Sequence, residues 1–371
     1  MTHNKIIKIF AALLAMTPLS ALAEFKYNLP EPAATITSDI YDLHMLTTYV
    51  AIIIMVLVTA IIAYSLYTHR KSTGYQADQK FHEGWFGRWS WILVPVIVLG
   101  IDFSIATDAI GTLNKVETYP EADVMVKVTG SQWKWTYEYM EEGIKFTSNL
   151  NKLPSDHEFY LRDVDKPLVL PTHKNIRFLH TASDVLHAWW VPAIVYKKDS
   201  IPGYINETWT NITKEGTYRG QCAEMCGTGH AFMPIVVNVV SADEYDSWVV
   251  AQKEATAAAE AEASSDKTWS KDELMSRGEA VYNTSCAACH QANGEGLAGV
   301  FPGLKGSKMV TEDQAGHIDI VLNGKAGTAM AAWGAQLNDL ELAAVVTYER
   351  NAWGNDTGDT VQPKDIKQLR K

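Results

Sequence analysis

A chain of 371 residues is too long for one compact core, so it implies two or three domains and excludes a single small binding module. A net charge of -11 without a Lys/Arg cluster excludes a nucleic-acid-binding surface. The four Cys, at 222, 226, 286 and 289, form two close pairs, and that pairing is the most informative count in the sequence.

At the N-terminus, Lys5 and Lys8 precede an apolar run from Ile9 to Leu22 that ends in the small-x-small pattern Ala21-Leu22-Ala23. This is the layout of a cleaved signal peptide over residues 1–23, with a mature chain from Glu24. An uncleaved anchor helix is the competing reading, and the short run with Pro18 inside it favours cleavage.

Met45 to Leu66 carries no charged residue, enough to cross a hydrocarbon core of about 30 Å, and predicts a transmembrane helix over about 45–67. A second is expected over about 89–113, with Trp89 and Trp91 at its start as interfacial aromatics and Asp102 and Asp108 interrupting it. A carboxylate facing lipid is costly, so Asp102 is expected near the outer interface or against a partner protein. The connection holds Arg70, Lys71, Lys80 and Arg88, whereas Lys26 in the preceding segment faces Glu24, Glu31, Asp39 and Asp42. The positive-inside bias therefore puts the hairpin loop in the cytoplasm and everything after about residue 113 outside.

Residues 115–248 read as strands, among them 124–128, 176–179, 218–222 and 235–240, with turns at Pro154-Ser155-Asp156 and Pro202-Gly203; short strands without a helical period imply a β-sandwich. Residues 249–268 shift to Ala and Glu, a linker, helical or frayed. Residues 269–371 turn helical. Ser270 with Glu273 opens a helix through Tyr282, and Asn338 with Glu341 opens another to about Asn351.

Cys286-Ala287-Ala288-Cys289-His290 has the Cys-x-x-Cys-His spacing of covalent haem c attachment. Two thiols one helical turn apart reach the two vinyl groups, and the adjacent His290 is the proximal iron ligand. A redox dithiol or structural disulfide is the plainer reading, and the imidazole directly after the second Cys argues against it. The sixth ligand is expected from a later loop: Met330, on a Gly/Ala stretch, is preferred to Met309, which is close in sequence, and to His317, which falls on a helix. At this point residues 269–371 resemble a monohaem cytochrome c, in which Gly278 and Tyr348 fit the crossing of first and last helices. Ala331 stands where that family usually has Pro.

Cys222-Ala223-Glu224-Met225-Cys226-Gly227-Thr228-Gly229-His230-Ala231-Phe232-Met233 places two thiols four residues apart, with an imidazole and a thioether four and seven residues after the second Cys. Soft thiolates in that spacing suit a pair of copper ions, and His187 is the best donor of a further imidazole. A Cys222–Cys226 disulfide, a copper chaperone and a mononuclear blue-copper site remain as alternatives. None of them uses all four groups.

From Asp42 to the end the chain resembles subunit II of haem-copper cytochrome c oxidases, specifically the caa-type form with a cytochrome c fused after the copper domain. The residues that carry this are the transmembrane hairpin, Gly130-Ser131-Gln132-Trp133-Lys134-Trp135-Thr136-Tyr137-Glu138-Tyr139, Asp184-Val185-Leu186-His187 and the copper loop. The resemblance implies a cupredoxin-like Greek-key sandwich and a dinuclear copper centre (CuA). In it Cys222 and Cys226 bridge, His187 and His230 are terminal ligands, Met233 is a weak ligand and Glu224 ligates through its backbone carbonyl. It also implies that the Glu224 side chain reaches a magnesium ion at the subunit I interface, and that Trp133 passes electrons to copper. Arg88 stands where many relatives carry a Glu serving a proton channel, so that role is not carried over.

The expected function is an electron-transfer subunit of a respiratory terminal oxidase in a bacterial inner membrane, with both soluble domains on the periplasmic side. Its expected partners are oxidase subunits I and III, membrane lipid, and a donor c-type cytochrome or a quinol:cytochrome c reductase. A nitric oxide reductase subunit, a freestanding electron carrier and a copper-delivery protein are the competing readings. The two-helix hairpin with its intramembrane Asp102 argues against the last two, since a mere anchor needs one helix and no such carboxylate.

Overall fold

The computed structural model describes residues 28–370 apart from Ala77 and Asp266; the signal-peptide expectation over residues 1–23 lies outside the described residues. Two long apolar helices come first, α1 (Thr35–Thr68) and α2 (Trp85–Glu117). Both outrun the expected spans because their outer turns belong to the soluble domain rather than to the apolar segment. Ala33, Ala34 and Ile36 are buried against the sandwich, and Thr37 Oγ1 donates to the Ala193 carbonyl at 3.0 Å. At the far end of α2, Trp209 Nε1 donates to the Lys115 carbonyl at 3.0 Å, and Lys115 Nζ meets Asp39 of α1 at 2.9 Å. The hairpin therefore holds the next domain by both helix ends. Asp102 lies midway along α2 and is exposed, away from either end.

The strands are β1 (Val124–Ser131), β2 (Lys134–Tyr139), β3 (Ile144–Ser148), β4 (Leu168–Pro171), β5 (Asn175–Ala182), β6 (His187–Val191), β7 (Val195–Ser200), β8 (Asn206–Asn211), β9 (Gly216–Cys222) and β10 (Pro234–Val240). They form two five-stranded sheets, ordered β3-β2-β1-β5-β8 and β4-β10-β9-β6-β7. β1 and β5 alternate buried and half-buried residues along their whole length, as a strand with one face on a core must. The inward residues, including Trp135, Tyr137, Tyr139, Phe178, Trp189 and Val237, form one cluster between the sheets. Crossovers join β1 to β5 and β4 to β10 in parallel, while the other pairings are antiparallel, as in a Greek-key sandwich.

The Ala/Glu segment is a continuous helix, α3 (Ala242–Ala263), which starts seven residues before the composition shift. Ser241 and Glu244 form its capping box, and Tyr245 and Trp248 on its first turns pack into the sandwich core.

Beyond it lie α4 (Lys271–Ser285), α5 (Ala287–His290), α6 (Lys308–Thr311), α7 (Gln314–Asn323), α8 (Asp339–Asn351) and α9 (Pro363–Leu369). Both expected capping boxes are present: Glu273 N donates to Ser270 Oγ at 3.4 Å and Glu341 N to Asn338 Oδ1 at 2.9 Å. α4 crosses α8 at Gly278, where a Cβ would strike the Ala344 carbonyl and Tyr348, so only glycine lets the two backbones approach. α8 is not the last helix; Ile366 of α9 covers its far side with Val361.

Candidate redox centres

The copper loop joins β9 to β10, two neighbours that pair in register from Pro234–Gln221 onward. The loop is closed where Cys222 N donates to the Met233 carbonyl at 3.1 Å. β6 lies on the other side of β9, with Trp189 opposite Cys222, which brings His187 at the head of β6 up to the same loop. Gly130 of β1 makes room for it: a Cβ there would sit 2.9 Å from the His187 ring.

The polar atoms then fall in a chain. His187 Nδ1 is 3.9 Å from Cys222 Sγ, Cys222 Sγ is 3.8 Å from Cys226 Sγ, and Cys226 Sγ is 3.6 Å from His230 Nδ1. Two imidazoles thus flank two thiols, and the sulfurs stand too far apart for an S–S bond of about 2.05 Å. Cys222, Cys226, His187 and Met233 are buried, and the Glu224 carbonyl turns inward, 3.3 Å from Cys222 Sγ. A buried set of soft thiols, imidazoles and a thioether fits copper and suits hard cations poorly.

Electrostatics prepares the set. Burial opposes charge on Cys222, but hydrogen bonds from His187, the Ala188 N–H and others outweigh it and lower its thiol pKa. Burial and the charge of Cys222 raise that of Cys226. His187 is held up to about 9: burial works against the imidazolium, and hydrogen bonds to Asp184 and Cys222 overcome it. Asp184 Oδ1 meets His187 Nε2 at 2.9 Å and its Oδ2 accepts from Gln132 N at 2.7 Å, which leaves His187 Nδ1 aimed at the thiol.

Trp133 lies over the loop. Its Nε1 donates to the Cys226 carbonyl at 3.2 Å, and the Gln132 side chain donates to the same oxygen at 2.8 Å. Among these, Asp184 and Gln132 are functional residues that the sequence reading quoted without a role. The available signal was a carboxylate three residues before a candidate ligand.

In the helical domain Cys286 caps α4, and Cys289 and His290 follow within α5, so both sulfurs and the imidazole come from about one turn. His290 Nδ1 is 2.9 Å from the Pro302 carbonyl; a carbonyl only accepts, so Nδ1 carries the proton and Nε2 is left as a ligand atom. Tyr282 and Trp353 donate to the Gln291 and Ala292 carbonyls at 2.7 and 3.1 Å and fix the segment after the motif. A half-buried thiol pair beside a free imidazole nitrogen fits covalent haem.

Met330 packs half-buried on the same cluster as Cys286 and Leu304. Its loop is pinned rather than loose: Lys325 N donates to the Met330 carbonyl at 3.0 Å, and Gly324, at φ 73°, is the residue whose missing Cβ lets that carbonyl approach. The two alternative ligands differ in setting. Met309 is 42% exposed, and His317 Nε2 is tied to Glu349 at 2.8 Å inside the core.

Residues 124–240 match the family model described as cytochrome c oxidase subunit II, periplasmic domain, and residues 273–348 match the one described as cytochrome c oxidase, cbb3-type, subunit III. The chain is 36% identical over 230 residues to a probable cytochrome c oxidase subunit 2 of Rickettsia bellii, an alignment covering 61% of this chain and 84% of the relative. It is 34% identical over 231 residues to cytochrome c oxidase subunit 2 of Cereibacter sphaeroides, covering 56% and 75%. Among solved structures it resembles the periplasmic domain of subunit II of the cytochrome oxidase of Bradyrhizobium japonicum, at 43% identity, 37% coverage of this chain, 98% of that one and a TM-score of 0.35.

Proposed function

Since this chain belongs to the cytochrome c oxidase subunit 2 family, a subunit of a haem-copper terminal oxidase, we propose that it is the caa-type form, in which one polypeptide holds both a dinuclear copper centre and its haem c electron donor. The observation that carries this is the ordered run of His187 from β6 with Cys222, Cys226 and His230 of the copper loop, beside a separate Cys286/Cys289/His290 turn in a domain of its own.

His187 and His230 would be the terminal copper ligands, Cys222 and Cys226 the bridges, Met233 a weak ligand and the Glu224 carbonyl a further one. Copper held by these residues would supply a one-electron centre. Cys286 and Cys289 would hold the haem, with His290 and Met330 as its iron ligands, and haem c would supply a second one-electron centre. The chain's own work is to keep both sites rigid and dry. Asp184 orients His187, Pro302 orients His290, and the Trp133 indole closes the copper loop on the side from which electrons would arrive.

Electrons would pass from a c-type cytochrome or a quinol:cytochrome c reductase to haem c, to copper through Trp133, and on to haem in subunit I, where oxygen is reduced and protons are pumped. α1 and α2 would cross a bacterial inner membrane and pack on subunits I and III with lipid around them, Asp102 turned to a protein neighbour. Both soluble domains would lie on the periplasmic side, and the Glu224 side chain would be placed to reach a magnesium ion at the subunit I contact.

The test is metal and haem analysis of the full chain purified in mild detergent. Two coppers and one covalent haem per chain are expected, with an electron-spin signal split by both copper nuclei. One copper per chain, or a Cys222–Cys226 disulfide after anaerobic copper loading, would sink the assignment.

A further inference from the structure

Lys134 opens β2 directly after Trp133, and its side chain reaches out of the sandwich to the haem domain. Its Nζ stands 3.6 Å from the ring centroid of Trp333, three residues after Met330. Its charge also lies within electrostatic reach of both Cys286 and Cys289, and Asp184 beside the copper loop within reach of Cys289. Two copper-domain residues therefore lie near the haem-attachment turn. Burial pulls the Lys134 ammonium down to about 8, as expected where a cation has exchanged water for an aromatic face.

Residues 132–134 thus touch both sides of the seam. Gln132 and Trp133 bond to the Cys226 carbonyl, and Lys134 meets Trp333. A second feature fixes the same arrangement from behind. α3 is packed into the sandwich at Tyr245 and Trp248, while at its other end Ala263 packs on Trp269, Leu274, Leu340 and Ala344, and Glu262 meets Arg277 of α4 at 2.6 Å. A helix held at both ends is a strut, not a slack tether.

We propose that Lys134 is a positioning residue that seats the haem-attachment edge of the cytochrome domain on the Trp133 face of the copper domain. This rests on the two-centre reading above.

The test is lysine acetylation of the full chain, loaded with copper and haem and kept in detergent. Limiting acetic anhydride at about pH 10.5, where both amines are largely uncharged and the rate reports shielding, is followed by mass spectrometry, with exposed Lys152 as the internal standard. Lys134 is expected to react at least about tenfold more slowly than Lys152, and Trp333→Leu should abolish that protection. A second variant guards against failed haem uptake in Trp333→Leu. Lys134→Glu should leave both absorption spectra in place yet slow, by at least about threefold, the relaxation of the copper spin signal that nearby ferric haem accelerates. Equal acetylation of Lys134 and Lys152 in a chain that shows both spectra overturns the seat and leaves the two-centre reading standing. Missing copper or haem spectra overturn that reading and the seat with it.

Discussion

The Trp133 indole rests so closely on Gly229 that a methyl group there would overlap its Cγ, Cδ2 and Cε3 atoms. The same indole is hydrogen-bonded to the Cys226 carbonyl, so one side chain spans the copper loop from the second thiol to the residue before His230. Gly229→Ala must therefore move Trp133 or the loop, and a misplaced ligand costs affinity even when every ligand is present. Copper titration followed by visible absorption should show at least about a tenfold loss of affinity in this variant. Unchanged binding would mean that the loop is not shaped by Trp133.

Removing the methionine ligand separates attachment from ligation. Met330→Ala should keep the haem covalently bound through Cys286 and Cys289 while the low-spin spectrum is lost and the reduction potential falls. His317→Gln should leave the spectrum unchanged, because that imidazole is spent on Glu349. A low-spin spectrum that survives Met330→Ala would assign the sixth ligand to another residue.

A buried ion pair sets the acid stability of the haem domain. Arg350 is 3% exposed, and its guanidinium grips Asp359 at 2.6 and 2.9 Å. Asp359→Asn leaves that cation short of its counter-charge. The expected cost is about 2 kcal/mol, below the roughly 3–5 kcal/mol of a fully buried pair because Asp359 is partly in water. Hydrogen bonds from Arg350 hold the Asp359 carboxyl below its ordinary 3.8. A depressed carboxylate contributes in full above its unfolded value and loses that contribution as pH falls through the folded one. The variant should thus be less stable at neutral pH, and its deficit should shrink as pH falls below 3.8. Denaturant unfolding followed by haem absorption at pH 7 and pH 3 checks this; parallel curves at both would contradict it.

Much of this was legible in the sequence because the signals are local. The copper loop carries four of its ligand side chains, Cys222, Cys226, His230 and Met233, within twelve residues, the haem motif fits in five, and each capping box in four. The hairpin is legible from hydropathy alone. What escaped depends on residues far apart in the chain. Asp184 matters because β1 and β5 run side by side and bring it to Gln132, 52 residues away. Lys134 looks like an exposed strand residue until Trp333 is packed above it. The Ala/Glu segment, poor in anything to bury, reads as loose, yet Tyr245 and Ala263 anchor its two ends. The Met330 loop reads as flexible for its Gly and Ala content, whereas Gly324 is there to let the loop fold back on itself.

The central claim, that one chain carries an electron from haem c to copper, is tested most directly by flash reduction of the haem in the full-length protein, with copper followed in the near infrared. The account predicts transfer at a single rate that is independent of protein concentration, and a slower one in Trp133→Ala chains selected for full copper content. A rate that rises in proportion to protein concentration would contradict it, since it would mean that electrons pass between chains rather than across the seam within one.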